Sequence, residues 1–297
     1  MLAIALALVS AAGFGVSDYV AGLATRAASV FQVTLVAQAT GLVVTLLIVP
    51  WVSPLRLSAA GAGWGAVAGV AGAFGTVTLY LGFRHAVFSV ASTLSAVGSA
   101  ALSVLAGLLY GERPSALALA GIAIAIVAIA AISASPGAAG DGVAGDGQVP
   151  SDRGHAASGR HLVSVGYGLA AGVGFAVYFI ALNRAGTGSG LWPVIVGEAA
   201  SLPVLVVCAL LAGQLGLLSP GARSLAVATG ATAAAATMLY FVASHHGLLA
   251  VTAVITSLYP GGTILLARVR LGERLSAVRL AGLALAGASV VLIAVAG

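Results

Sequence analysis

Long apolar runs recur along the whole chain and leave little room for anything but membrane-spanning helices. Each run is about 20 residues long, which at 1.5 Å per residue crosses a bilayer core of about 30 Å. Barrel strands alternate apolar and polar residues, and these runs do not, whereas a helix satisfies its backbone hydrogen bonds within lipid. We therefore predict an all-α polytopic membrane protein with ten transmembrane helices. The runs are 2–24, 30–49, 61–83, 86–110, 116–133, 162–182, 191–213, 222–244, 247–268 and 277–296.

The composition agrees with a surface that faces lipid. Hydrophobic residues make up 61% of the 297 residues and charged residues only 6%, whereas a soluble domain carries roughly 25% charged residues. The 12 basic residues are all arginines that stand singly between apolar runs, which argues against a nucleic-acid partner. The single cysteine, Cys208, excludes an internal disulfide and a thiolate metal cluster. We expect a multi-pass protein of the inner (plasma) membrane, with a first run too long for a cleaved signal peptide.

A polar segment at residues 134–161 divides the chain near its middle. It is rich in glycine, alanine, serine and aspartate and has no apolar periodicity, so we interpret it as a flexible linker. His155 and His161 belong to it, and solvated histidines are the interpretation we favour over metal ligands. The segment separates a first five-helix unit at 1–133 from a second at 162–297.

The two units repeat one another. Gly-Glu-Arg at 111–113 recurs at 272–274, a shift of 161 residues (272 − 111). A unit with an odd number of helices enters the membrane from the opposite side when it is duplicated, so the halves are predicted to form an inverted repeat. Secondary transporters commonly bind substrate between such halves, near the midplane, and we expect helices 1, 3, 4, 6, 8 and 9 to line that cavity. At the same shift His85 recurs as His246, Gly69 as Gly230, and Gly13-Phe14 as Gly174-Phe175.

Further motifs occur in both halves. The second half contains Ser244-His-His-Gly-Leu-Leu-Ala-Val251, Leu258-Tyr-Pro260, Leu271-Gly-Glu273 and Gly282, and the first contains Phe83-Arg-His-Ala-Val-Phe-Ser-Val90, Tyr110-Gly-Glu112 and Gly121. This pattern resembles the EamA-type ten-helix carriers of the drug/metabolite transporter superfamily. The resemblance implies export of small metabolites such as amino acids, driven by a proton or substrate gradient.

The chain departs from that pattern at positions that affect a pocket. Ser99 stands in the first half where the second has Pro260, so one helix lacks its proline. Gln38 lies in helix 2, where the family often has an arginine, and Glu198 lies in helix 7. The charge of the pocket therefore differs from the family pattern.

Two acidic residues lie within apolar runs. Asp18 is roughly five residues past the centre of the first run, about 7 Å along its axis. A carboxylate at such a depth costs about 2.5–3.5 kcal/mol on insertion scales. We interpret Asp18 and Glu198 as candidate proton or cation sites in the cavity. The alternatives are a helix-end Asp18 that pairs with Arg26, and a Glu198 that only hydrogen-bonds a neighbouring helix.

Other side chains are candidates for contact with a substrate. Tyrosine rings can stack on a substrate while the hydroxyl group hydrogen-bonds it, although tyrosine is also common at membrane interfaces. Pro260, followed by two glycines, could break helix 9 and expose carbonyl groups to a ligand, or merely kink it. These candidates are Tyr19, Gln38, Tyr80, Tyr178, Tyr240, Tyr259 and Pro260.

The remaining conspicuous residues have structural interpretations. Glu112 and Glu273 each follow a glycine at a helix end, where capping or pairing with the next arginine explains them. His85, His245 and His246 lie at helix ends, and adjacent histidines on a helix point about 100° apart, so they do not share a metal.

The chain lacks the motifs of an enzyme. It has no HExxH or Walker sequence and no Ser-His-Asp set, so we predict no catalytic residue, metal or cofactor. We expect a secondary carrier for a small-molecule substrate, with a proton as one candidate for the coupling ion. A cationic-drug exporter of the same superfamily and a non-transporting membrane protein are the alternatives, and the sequence leaves a homodimer open.

Arginine counts bear on orientation. Nine arginines lie in or beside the connections 1–2, 3–4, 5–6, 7–8 and 9–10, and three in the others. Because cytoplasmic loops carry the excess of positive charge, this count places both termini outside. The resemblance implies the reverse.

Overall fold

The computed structural model describes residues 1–53, 56–85, 88–134, 155–271 and 275–296, and only the backbone at 80, 82–85, 88–90, 92, 134, 155–162 and 271. Helices joined by short turns make up these ranges, and they contain no strand, which confirms the all-α prediction for the described part of the chain. The helices are α1 (Leu2–Ala24), α2 (Val30–Val52), α3 (Ala59–His85), α4 (Phe88–Leu109), α5 (Ala116–Ala134), α6 (His155–Arg184), α7 (Trp192–Leu211), α8 (Pro220–His246), α9 (Leu249–Thr256), α10 (Tyr259–Leu271) and α11 (Ala277–Ala296).

Most of these helices have the length and composition of membrane spans. Within the described residues, 9 helical stretches are long and apolar enough to cross a bilayer, counting Leu249–Arg270 as one, and Thr93–Leu109 is a shorter apolar helix. Large apolar side chains such as Leu47 (65% exposed) and Val295 (72%) cover the outside of the bundle. Such a surface is stable against lipid rather than water, so the protein is a multi-pass membrane protein.

Two helix boundaries differ from those predicted. The helix α6 begins at His155, so residues 155–161 of the predicted linker are helical, while 135–154 lie outside the described residues. A spanning helix can extend into water because its backbone bonds are internal. The predicted ninth helix is interrupted at Ser257 and Leu258.

The interruption between α9 and α10 is a tight turn, not an unwound segment. The N–H of Leu258 donates to the carbonyl of Ile255 at 3.1 Å, and the N–H of Gly261 donates to that of Leu258 at 2.9 Å. Pro260 is in the first turn of α10, where a missing N–H costs nothing. The carbonyl groups at the break are therefore largely used within the chain.

Two helix crossings between the halves use corresponding positions. The helices α1 and α8 pack closely where a Cβ atom at Gly13 would lie 3.0 Å from the Cβ of Ala236. The helices α3 and α6 do the same where a Cβ atom at Gly174 would lie 2.7 Å from the Cα of Gly75. Gly13 and Gly174 are 161 positions apart, as are Gly75 and Ala236. Small residues allow this approach of backbones in a membrane protein.

Polar side chains fix the position of α1 within the bundle. The hydroxyl group of Ser10 donates to the carbonyl of Ala236 at 2.7 Å, and that of Ser17 donates to the carbonyl of Thr229 at 3.0 Å. The hydroxyl group of Thr263 in α10 donates to the carbonyl of Gly15 at 3.2 Å. These bonds set the rotation of α1 about its axis and thereby the direction of Asp18.

Candidate substrate cavity

A cavity of about 270 Å³ lies at the centre of the bundle. It is lined by α1, α2, α3, α6, α7 and α8, with Ser99 from α4 and Tyr259 from α10. The predicted set of lining helices omitted the second and the seventh, and this was wrong. The helices α2 and α7 line the cavity and pack on each other. The helix α4 packs mainly on α6, and the α9–α10 segment packs mainly on α1 and α4, and they contribute only Ser99 and Tyr259.

Most lining positions of one half have a counterpart among the lining positions of the other. The shift is 161 residues for the positions in α1 and α3 and 160 for those in α2, as between Gln38 and Glu198. These lining positions are therefore related by a nearly constant shift in sequence, although the side chains at them differ. The corresponding sets are 14, 17, 18 and 21 with 175, 178, 179 and 182; 34, 37, 38 and 41 with 194, 197, 198 and 201; and 68, 69, 72 and 76 with 229, 230, 233 and 237.

Asp18 faces this cavity from α1. Its side chain is exposed there, and it forms no hydrogen bond or ion pair with another residue of the described part of the chain. Arg26 is also exposed, beyond the end of α1, so the alternative in which it pairs with Asp18 is not the arrangement observed. The carboxyl group of Asp18 is thus left accessible to a ligand or a proton.

Glu198 faces the cavity from α7 and is bonded to Gln38 of α2. The amide Nε2 of Gln38 donates to Oε2 of Glu198 in a short contact. Gly41 gives the carboxyl group room, because a Cβ atom there would lie 2.9 Å from the same oxygen. The two residues hold corresponding positions, so this contact joins the halves at the centre of the cavity.

Aromatic side chains divide between the cavity and the packing behind it. Tyr178 lines the cavity and shares a hydrogen bond of 2.8 Å with the hydroxyl group of Thr237. Tyr259 also lines it, with its ring 6.4 Å from that of Phe14. Tyr240 is fully buried and does not reach the cavity; its hydroxyl group donates to the carbonyl of Phe179 at 3.1 Å.

Three other candidates do not contribute a described side chain to the lining. Tyr19 is beside Asp18 on α1 but is not among the lining residues, and neither is Pro260. The side chain of Tyr80 lies outside the described part of the structure. Thus Asp18, Gln38, Tyr178, Glu198 and Tyr259 are the predicted residues that meet around the cavity.

The two ends of the cavity differ in packing. The end lined by Asp18, Ala21, Thr25 and Thr34, where α1 ends and α2 begins, is only partly covered, and we name it the open end.

The opposite end, which we name the closed end, is sealed by Phe179 (5% exposed), Leu182 (1%), Val194 (1%) and Tyr240 (0%). The rings of Phe179 and Tyr240 are 4.6 Å apart. These residues belong to an apolar cluster that also includes Trp64 and Leu191. At the corresponding positions the open end carries Asp18, Ala21, Thr34 and Leu79, so three of the four side chains there are small or polar.

The sequence did not single out Phe179, Thr237 or Ser17. Each lies at the 161-residue shift from a cavity position of the other half, namely Asp18, Thr76 and Tyr178. Extending the repeat alignment from the motifs to every helical position would have identified them.

The duplicated glutamate described by the structure has a capping role. Both oxygens of Glu112, just after α4, accept backbone N–H groups at the start of α9, from Leu249 at 2.5 Å and Ala250 at 2.9 Å. The preceding Leu248 supplies no side-chain cap. The carboxylate thus satisfies donors that a helix start leaves free. Glu273 lies outside the described residues.

The paired histidines bond within their own helix. Nδ1 of His245 is 2.7 Å from the carbonyl of Phe241, and Nδ1 of His246 is 2.9 Å from that of Val242. The side chain of His85 lies outside the described part. The histidines of α8 are therefore oriented by backbone contacts near the helix end.

Comparison with known proteins supports the fold alone. No protein-family model and no curated protein matches the chain. A crystal structure of another protein superposes with a TM-score of 0.74 over 98% of this chain and 96% of its own, at 19% sequence identity. At that identity the likeness concerns architecture over the full length of both chains.

Proposed function

We propose that this protein is a secondary transporter that exports small metabolites such as amino acids by alternating access. Ten spans form two inverted five-helix repeats, with α9 and α10 together as one span, in the inner (plasma) membrane. The observation that carries the proposal is the central cavity, whose lining positions in the two halves correspond while its ends differ in packing. Inverted-repeat transporters place their substrate between the halves. The resemblance to EamA-type carriers of the drug/metabolite transporter superfamily supports the same function.

A specific feature favours cationic substrates as a second candidate. The described lining contains two carboxyl groups, Asp18 and Glu198, and no arginine or histidine. Phe14, Phe175 and Tyr259 add ring faces and edges around the same space. Aromatic faces and carboxylates both attract ammonium groups, so an organic cation fits this lining as well as the ammonium end of an amino acid does.

The test is uptake by proteoliposomes with a labelled panel of amino acids and organic amines, with and without a pH gradient. Saturable uptake of amino acids supports the first candidate, and uptake restricted to amines and quaternary ammonium compounds supports the second. Leu47→Ala, a change on the lipid-facing surface, should match the parent protein. A folded, monodisperse protein that moves no member of the panel under either gradient contradicts the proposal.

A further inference from the structure

The residue that differs most between the two ends of the cavity is Asp18. Its counterpart at the 161-residue shift is Phe179, which seals the closed end. At the closed end the Phe179 ring packs on Tyr178 and Tyr240, with ring centroids 5.4 and 4.6 Å away. At the open end the same helical position carries an exposed carboxyl group.

We propose that the negative charge of Asp18 keeps the open end from closing until its carboxyl group binds a proton. We call this role of Asp18 the charge lock. This inference rests on the proposed function, because it assumes that the two repeats exchange their conformations during transport. In that exchange α1 takes the packing that α6 has now. Asp18 then occupies a site like that of Phe179, which is 5% exposed.

The surroundings of Asp18 after closure follow from the same correspondence. Leu79 is the counterpart of Tyr240, Ala21 of Leu182 and Thr34 of Val194. None of these side chains can neutralise a carboxylate. An ionised carboxyl group buried without a partner is strongly disfavoured, so the negative charge holds the open end apart.

The groups that face Asp18 across the cavity do not supply the missing positive charge. The helix α7 presents Glu198, which is already bonded to Gln38 of α2. The titratable groups on α6 and α10 are Tyr178 and Tyr259, and α8 presents Thr229 and Thr237. Within the described lining there is no basic side chain. When no cationic substrate is bound, a proton from solution therefore neutralises Asp18.

The test measures the accessibility of both ends in the full chain, in lipid nanodiscs that expose both faces. On a Cys208→Ser background, a single reporter cysteine is placed at the open end (Thr34→Cys) or the closed end (Val194→Cys). The rate of labelling by a polar maleimide is compared between the two reporters at each pH, because the ratio cancels most of the intrinsic pH dependence of the thiol.

With Asp18 present, the ratio of open-end to closed-end labelling should fall about tenfold between about pH 8 and about pH 5, since burial on closure favours the protonated carboxyl group. Asp18→Asn should give the low ratio at both pH values. Asp18→Glu and Tyr19→Phe should keep the pH dependence. A ratio that follows pH in Asp18→Asn as it does in the parent overturns the proposal.

A second variant tests the closed end and does not depend on the folding of Asp18→Asn. Phe179→Asp puts a carboxyl group into the seal, so Val194→Cys should become reactive at about pH 8 and lose that reactivity at about pH 5. Unchanged reactivity of Val194→Cys overturns the charge lock. Substrate flux in proteoliposomes is measured separately. If the protein transports substrate but Asp18 does not affect the accessibility of either end, the charge lock is disproved and the proposed function still stands.

Discussion

At the scale of single residues, the polar groups of the cavity differ in how they are held. Glu198 is fixed by the amide of Gln38, whereas Asp18 has no bonded partner among the described residues. A fixed carboxylate suits recognition of a ligand, because its direction is set before binding. A free one suits exchange of a proton. In the proposed transporter we therefore expect the two acids of the spans to have different tasks.

Removing the amide should weaken substrate binding more than it changes folding. Gln38→Leu leaves the Glu198 carboxyl group without the donor that orients it, so binding must order this side chain at a cost of about 0.5–1.5 kcal/mol, or about two- to tenfold in affinity. Equilibrium binding of a transported substrate to the purified protein measures this. The control is Thr40→Val, whose hydroxyl group bonds only the carbonyl of Val36 on the same helix. Equal affinities in the two variants would show that Gln38 does not position Glu198.

At the scale of helices, α9 depends on a cap from the other half of the chain. Glu112→Ala removes both acceptors at the start of α9. Loss of a cap costs about 0.5–2 kcal/mol, so we expect Tm in detergent to fall by several degrees, with Arg113→Ala as the matched control. The same Tm for Glu112→Ala and the parent would contradict the capping role.

The close crossing of α3 and α6 leads to a second prediction at this scale, on the effect of a larger side chain at the crossing. Gly174→Val places methyl groups against the backbone of Gly75, where a Cβ atom alone would be 2.7 Å away. Such overpacking should abolish a monodisperse peak in size-exclusion chromatography. Gly22→Ala meets nothing within 4 Å and should behave like the parent. A well-folded Gly174→Val would require a different approach of these helices.

Sequence patterns predicted the positions of the helices along the chain better than they predicted which helices pack against each other. Apolar runs identify spans because burial in lipid acts on each helix separately, and Asp18 and Glu198 stood out because charge is rare there. The inward positions of α2 and α7, and the packing of Tyr240 behind Phe179, depend on helix rotation. Rotation is set by contacts between distant segments, such as the bond from Ser17 to Thr229, which no local pattern reports.

At the scale of the whole molecule, the open end lies on the side of the connection between α1 and α2, which carries Arg26. In the predicted ten-span topology, nine of the 12 arginines belong to the connections on that side. The positive-inside rule then predicts that this side faces the cytoplasm, with both termini outside. A C-terminal fluorescent reporter that matures only in the cytoplasm should stay dark, and bright cells would reverse this orientation.

The central claim is that the closed end must open during transport, and a reversible bridge across it tests this most directly. On the Cys208→Ser background, Phe179→Cys and Tyr240→Cys replace two rings that are 4.6 Å apart. A short cross-linker that forms a disulfide with each of the two thiols should then join them. Bridged protein in proteoliposomes should lose substrate uptake, and reduction of the bridge should restore it, with each single-cysteine variant as control. Uptake by the bridged protein at the unbridged rate would contradict alternating access through this cavity.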